Sequence, residues 1–146
     1  MDADIVVNRF ESYEFQGIRE WVAIHDEELN FSDNSKPQIK LCGITLRIRA
    51  NNEWTKLPKN LKAAMVAHEI GHREMGHASI PQDNPFYRMG FVLLQNGADP
   101  RELEADRYAA KIIGRTEFRD ALNTIAKLSY ITPLAAKELN LRAKKL

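Results

Sequence analysis

The spacing of apolar side chains predicts an amphipathic helix near the start of the chain, at residues 11–29. Phe15, Ile18 and Val22 recur at the three- to four-residue interval of one helical face, and Gly17 interrupts the pattern. We therefore expect a helix that is broken near this glycine.

A regular alternation of side chains predicts a strand between residues 39 and 49. Ile44, Leu46 and Ile48 fall on one face, which we expect to be buried, and polar residues fall on the other. The polar face is basic and consists of Thr45, Arg47 and Arg49.

A longer helix is predicted to start at Pro58 and to run to about Met75, where Gly76 ends it. Proline is tolerated in the first turn of a helix because the N–H that it lacks would have no partner there. The predicted inward face of this helix carries Leu61, Met65, His68 and His72.

Capping residues divide the C-terminal half into further helices. Asp99 and Pro100 start a helix that Gly114 ends, and a short apolar helix is predicted before it at residues 86–95. Two closing helices are predicted to begin at the caps Thr116 and Thr132. Weaker strand patterns lie near residues 4–10 and 36–41, so the sequence predicts an α+β fold that is mostly helical.

The length of 146 residues fits one domain, and 44% hydrophobic with 28% charged residues is ordinary for a globular chain. We expect a single domain over residues 1–146, with a core that carries the motifs at about 36–128 and a C-terminal helix at 132–146.

Charge and cysteine content narrow the expected partners and location. A net charge of +1 gives no reason to expect nucleic acid or a membrane surface as a partner. Cys42 is the single cysteine, so no disulfide forms within the chain. The apolar runs are too short to span a bilayer and the first residues are acidic, so we expect a cytoplasmic protein of unassigned oligomeric state.

The strongest chemical signal is an HExxH pattern that begins at His68. On a helix, His68 and His72 are about 40° apart in rotation, so both imidazoles can approach one Zn²⁺ from the same side. Glu69 would then stand beside the open metal position, where a general base is needed. The alternative is two histidines that only pack against apolar neighbours.

Glu102 is the candidate for the third metal ligand. It shares an inward stripe of the 99–113 helix with Asp106, and an unpaired carboxylate on an apolar stripe would be costly. In the alternative reading, Asp99 and Glu102 form a capping box in which Glu102 bonds back to the Asp99 amide. Glu104 lies on the polar face of the same helix and is a weaker candidate.

Asp106 lies one turn beyond Glu102, where it could reach the far nitrogen of a ligand histidine and fix its tautomer. A salt bridge to Arg101 or Arg107 is the alternative. His77 is five residues after His72, whereas the metzincin pattern requires six. We therefore expect His77 to cap or line the helix end, with a role in stabilising an oxyanion left open.

HEIGH at residues 68–72 together with ELEAD at residues 102–106 resembles the gluzincin zinc metallopeptidases. The most similar groups are the CAAX-prenyl-protease type and the small single-domain minigluzincins, and the resemblance covers about residues 60–128. It implies a zincin-like minimal domain in which a small sheet lies above the HExxH helix.

The resemblance also implies a role for each motif residue. His68, His72 and Glu102 would bind Zn²⁺, Glu69 would be the general base, and Asp106 would orient a ligand histidine. The transmembrane helices of the membrane-bound members have no counterpart in this sequence, and the segment between the motifs is short. Antirepressor-cleaving (ImmA/IrrE-like) metallopeptidases are similar competitors, although they more often have EAN at residues 104–106.

The sequence thus predicts a zinc-dependent endopeptidase that hydrolyses flexible or unfolded polypeptides. We expect a peptide substrate to add as an extra strand at residues 43–49. The alternatives are an antirepressor-cleaving enzyme and a latent or non-catalytic zinc-binding module, in which the C-terminal helix would lie across the cleft.

Overall fold

A computed structural model describes residues 8–26, 34–42, 45–77 and 99–146. The described residues form an α+β fold that is about half helical and contains a small mixed sheet. The α+β class with a small sheet is therefore confirmed, the helical share is lower than expected, and the zincin-like arrangement stays a prediction. The helix predicted at 86–95 lies outside the described residues.

The sheet has four strands in the order β1-β2-β4-β3. Neighbouring strands are antiparallel except for β2 and β4, which are parallel. The strands are β1 (Arg9–Phe15), β2 (Ile18–His25), β3 (Ile39–Cys42) and β4 (Arg47–Asn51). Because β2 and β4 are internal, β1 and β3 are the outer strands of the sheet as far as the described residues go.

The helix predicted at residues 11–29 is wrong, because β1 and β2 form a hairpin here. Gln16 and Gly17 both have positive φ, at 45° and 86°, and such a two-residue turn matches the twist of paired strands. Val22 and Ile24 are fully buried, at the two-residue interval of a strand. The three-to-four spacing that suggested a helix arises where two such alternations meet at the turn.

The single strand predicted between residues 39 and 49 is also wrong. The chain folds back between β3 and β4, and Leu46 adopts a positive φ of 52° before β4 begins. β4 is paired on both sides, and Arg49 on this internal strand is only 7% exposed. The basic outer face that was expected therefore reduces to Arg47.

The five helices of the described residues follow the strands closely. They are α1 (Asn52–Thr55), α2 (Lys59–Glu74), α3 (Pro100–Ile113), α4 (Arg115–Ile125) and α5 (Pro133–Lys144). The predictions for α2 and α3 are confirmed, and α5 begins as predicted, with Thr132 accepting a bond from the Ala135 amide at 3.2 Å. Thr116 is wrong as a cap, because α4 begins directly after Gly114.

Contacts from α1 and α2 fix the first helices against the sheet. Trp54 is fully buried in the core that the sheet shares with α2, and its amide donates to Asn51 Oδ1 at 3.0 Å. Asn51 Oδ1 also accepts from the Gln38 amide at 3.0 Å, which places the start of β3 beside the start of α1. Near the C-terminal end of α2, Arg73 forms a bidentate ion pair with Glu20 on β2, at 2.9 and 2.7 Å.

Among the described residues, none of the helices is long and apolar enough to cross a bilayer.

Candidate metal centre

The candidate site lies where α2 and α3 pack most closely. A Cβ added to Gly71 would lie 2.7 Å from the Ala105 carbonyl oxygen and 2.9 Å from its Cα. Only glycine permits this approach, since real Cβ contacts are essentially never shorter than 3.0 Å. The glycine between His68 and His72 therefore brings the backbone of α3, and the carboxylates that it carries, up to the two histidines.

His68, His72 and Glu102 converge at this contact. The two carboxylate oxygens of Glu102 lie 2.9 Å from His68 Nε2 and 3.2 Å from His72 Nε2. The two Nε2 atoms are themselves 2.9 Å apart. One ligand atom from each residue lies within 4.8 Å of the others, and among the described residues this is the group that could hold a metal ion.

The donor set suits zinc. Two imidazole nitrogens and one carboxylate oxygen form a three-ligand set of the kind that catalytic zinc sites use, with a further position left for water or substrate. The facing nitrogen and oxygen atoms of the three side chains all carry lone pairs and lie at hydrogen-bond distance from one another. Protons or a cation must therefore lie between them. The chemistry of the three side chains therefore fits Zn²⁺, although other divalent cations also accept imidazole and carboxylate ligands.

The capping-box alternative for Glu102 is not what the structure shows. Asp99 caps α3 by accepting from the Arg101 amide at 2.9 Å, while the Glu102 carboxylate is directed at the two histidines. Asp99 also pairs with the Arg101 side chain at 2.6 Å. Helix capping and the candidate metal site thus use different carboxylates of the same helical turn.

Asp106 contacts His68 on the side away from Glu102. Its Oδ1 lies 2.9 Å from His68 Nδ1, and its side chain is completely buried. The ion pairs considered with Arg101 and Arg107 are replaced by one with Arg142 of α5, at 2.8 Å to each carboxylate oxygen. Burial acts to raise the pKa of Asp106, but the bonds from Arg142 and His68 outweigh it and lower this pKa.

Arg142 is a site residue whose contact with Asp106 the sequence did not reveal. A signal exists in the pattern of α5, where Arg142 and Ala143 fall between Leu139 and Leu146 at helical spacing. An arginine on the apolar face of an amphipathic helix requires a buried acidic partner.

Hydrogen bonds and charges make the site favourable for a cation. Burial alone lowers the pKa of His68, but its hydrogen bonds with Asp106 and Glu102 raise that pKa to about 9. Burial acts to raise the pKa of Glu102, but the bonds and charges of His68 and His72 hold it well below the usual range. The raised pKa of His68 and the lowered pKa of Glu102 have the same meaning: an ionised carboxylate beside a positive charge is stabilised at this site.

Glu69 lies beside a cavity of about 400 Å³ that adjoins the candidate ligands. Burial raises the pKa of its carboxyl group, and the neighbouring His68 and His72 oppose this shift. Most of the cavity wall is apolar and includes Ile39, Met65, Phe118, Leu122, Ile125 and Leu139. His68 and Arg142 also line it, so the cavity connects the candidate metal site with the start of β3.

His77 and Glu104 are also drawn into the site. His77 Nδ1 lies 2.9 Å from His72 Nδ1, and His77 Nε2 lies 3.1 Å from a carboxylate oxygen of Glu104. His77 thus follows the end of α2, as expected, but it is buried against a candidate ligand. Glu104, expected on the polar face of α3, reaches the site because its side chain extends to His77.

The chain matches no protein-family model, and neither the curated proteins nor the solved structures contain a match to it.

Proposed function

We propose that the protein is a zinc-dependent endopeptidase in which His68, His72 and Glu102 bind the metal and Glu69 is the general base. The observation that carries this proposal is the convergence of three ligand atoms within 4.8 Å, next to a cavity that Glu69 lines. The resemblance of HEIGH and ELEAD to the gluzincin motifs agrees with these roles.

The proposed reaction is the addition of water across a peptide bond. Bound Zn²⁺ would lower the pKa of water and polarise the scissile carbonyl. Glu69 takes one proton from the attacking water and passes it to the leaving amine as the C–N bond breaks. The raised pKa of Glu69 suits this exchange, because a carboxyl group with a pKa nearer neutrality can both accept and release the proton.

Asp106 supports the reaction through His68. A hydrogen bond from His68 Nδ1 to Asp106 fixes the ring with Nε2 unprotonated, as a metal ligand requires. Arg142 in turn holds Asp106 ionised and in place.

The substrate is proposed to pair with β3 rather than with residues 43–49. β4 lies between two other strands, whereas β3 is the last strand of the sheet within the described residues, and Ile39 at its start lines the cavity. An extended peptide added there would make main-chain bonds that depend little on its sequence. The apolar cavity would accept a large apolar side chain of the substrate, and only a flexible or unfolded chain can adopt this conformation.

Substitution of Glu69 tests the enzymatic proposal. Glu69→Gln should retain one zinc per chain by elemental analysis and lose about 100-fold or more of the rate on an unfolded protein or a peptide library. Glu74→Gln is the matched control, since Glu74 lies on the same helix and its side chain is 51% exposed. A wild-type protein that binds zinc and cleaves nothing would favour the non-catalytic zinc-binding alternative.

Substitution of Glu102 tests the metal site itself. Glu102→Ala should release zinc on dialysis, because two histidines alone give an incomplete ligand set. Stoichiometric zinc retained by this variant would remove Glu102 from the ligand set.

A further inference from the structure

We propose that His77 and Glu104 are positioning residues that hold His72 in the tautomer and orientation needed to bind the metal. The proposal rests on the proposed metal site and names a support for its second histidine. In this arrangement, His72 donates to His77 and His77 donates to Glu104.

The geometry at the end of α2 brings these residues together. The helix ends at Glu74, and Gly76 then adopts a left-handed φ of 75°. This conformation is readily available to glycine alone, and it turns the chain back so that His77 lies beside His72. The two rings are 5.1 Å apart between centroids and inclined by 66°, which lets a nitrogen of one ring point at a nitrogen of the other.

The protonation of the three residues follows from the direction of each hydrogen bond. A histidine that binds a metal through Nε2 is unprotonated at that atom, so its proton is on Nδ1. The Nδ1–H of His72 then donates to His77 Nδ1 over 2.9 Å, and His77 must carry its own proton on Nε2. That Nε2–H donates to Glu104 over 3.1 Å, which makes the Glu104 carboxylate the final acceptor.

The two candidate histidine ligands would therefore be supported in different ways. His68 donates directly to the buried carboxylate of Asp106. His72 reaches a carboxylate only through the imidazole of His77, which is 6% exposed and so shields this contact from water. Glu104 at the far end has a side chain that is 39% exposed.

The alternative role for His77 is that of a fourth metal ligand, which would require one of its nitrogens to face the metal position. The Nδ1 of His77 faces the Nδ1 of His72, whereas the candidate ligand atom of His72 is its Nε2 on the opposite side of the ring. The group of atoms that could hold a metal accordingly consists of His68, His72 and Glu102.

The test compares His77→Phe with His77→Gln in the full-length protein. Phenylalanine keeps a planar ring but accepts no hydrogen bond, whereas the glutamine carboxamide can accept from His72 and donate to Glu104. We expect His77→Phe to weaken Zn²⁺ binding by about 10- to 100-fold, as losses of a metal ligand's hydrogen-bond partner do, and His77→Gln to restore most of it. Affinity is measured by competition with a chromophoric chelator.

Glu104→Ala extends the test to the final acceptor, with Glu74→Ala as its matched control. Glu104→Ala should weaken zinc binding in the same direction but less than His77→Phe, because water can replace a partly exposed carboxylate. Glu74→Ala removes an equal charge from the end of α2 and should leave the affinity unchanged. If His77→Phe fails to fold by circular dichroism, the decision rests on His77→Gln and Glu104→Ala.

The visible spectrum of the Co²⁺-substituted protein separates positioning from ligation. A positioning role predicts a four- or five-coordinate spectrum in every variant, with bands that shift in His77→Phe and return in His77→Gln. A reduced coordination number in both His77 variants, with Glu104→Ala unchanged, would overturn the proposal in favour of a fourth ligand. Unchanged zinc affinity in His77→Phe would also overturn it. If the wild-type protein binds no zinc, the proposed function and the positioning proposal fail together. If the wild type binds zinc and only the expected effects of the His77 variants are missing, the positioning proposal alone fails.

Discussion

Asp106 is the side chain in the site whose burial is most costly without a partner. A carboxylate with no solvent exposure is stable only when its oxygens are paired, and Arg142 and His68 together satisfy them. Removing one member of such a pair leaves the other charge buried and alone, which costs more than the pair itself contributes.

We therefore expect Arg142→Met to destabilise the metal-free protein by about 3 to 5 kcal/mol, measured by urea denaturation. Methionine keeps an unbranched side chain of similar length, so the loss reports mainly on the charge. Adding Asp106→Asn to this variant should recover part of the loss, because no buried charge is then left unpaired. Lys144→Met is the control on the same helix, at an exposed position, and an equal loss there would contradict the explanation.

The residues of the candidate site divide into those that helical spacing predicts and those that only the tertiary structure brings together. His68, His72, Glu102 and Asp106 share inward stripes of two helices, so the sequence alone could group them. The contact of Asp106 with Arg142 joins residues 36 positions apart, and no local pattern predicts their distance. His77 was placed correctly at a helix end, but its contact with His72 depends on the left-handed turn at Gly76.

At the scale of elements, the close packing of α2 against α3 positions the candidate ligands. The two histidines are on α2 and the carboxylate is on α3, so their separation depends on how near Gly71 lies to Ala105. A shift of α3 away from α2 would therefore draw Glu102 away from the two histidines.

Gly71→Ala should therefore weaken zinc binding, although residue 71 contacts no metal. Its new methyl group would overlap the Ala105 backbone and push α3 away, which carries Glu102 out of reach of the histidines. We expect a loss of about 1 to 3 kcal/mol in stability from overpacking, measured by denaturation, together with weaker zinc binding by chelator competition. Ala63→Ser adds one atom at a half-buried position of the same helix and should change neither quantity.

The helices were predicted more reliably than the strands for a physical reason. Proline, aspartate and glycine mark the ends of α2 and α3, and each acts through local backbone chemistry. The turns at Gln16 and Leu46 place residues other than glycine at positive φ, which is uncommon and has no reliable signal in sequence. As a result, the sequence predicted a helix where β1 and β2 form a hairpin, and one continuous strand where β3 and β4 form another.

At the scale of the whole molecule, α5 connects the C-terminal end of the chain with the candidate site. Ala143 belongs to the core, Arg142 holds Asp106, and Leu139 lines the cavity. A helix that only covered the cleft would contribute few buried contacts of this kind. The latent alternative, in which the C-terminal segment is a removable cover, therefore makes an opposite prediction for a truncated chain.

Removal of residues 132–146 should unfold the protein rather than activate it. The truncation exposes the core surface of α4 that α5 covers, and it leaves Asp106 buried without Arg142. The loss of Arg142 alone costs several kcal/mol of folding free energy, which is a large part of the stability of a small domain. Circular dichroism, urea denaturation and zinc content of the truncated chain measure this outcome. A truncated chain that stays folded, keeps zinc and cleaves peptides faster than the full chain would instead establish α5 as an inhibitory cover.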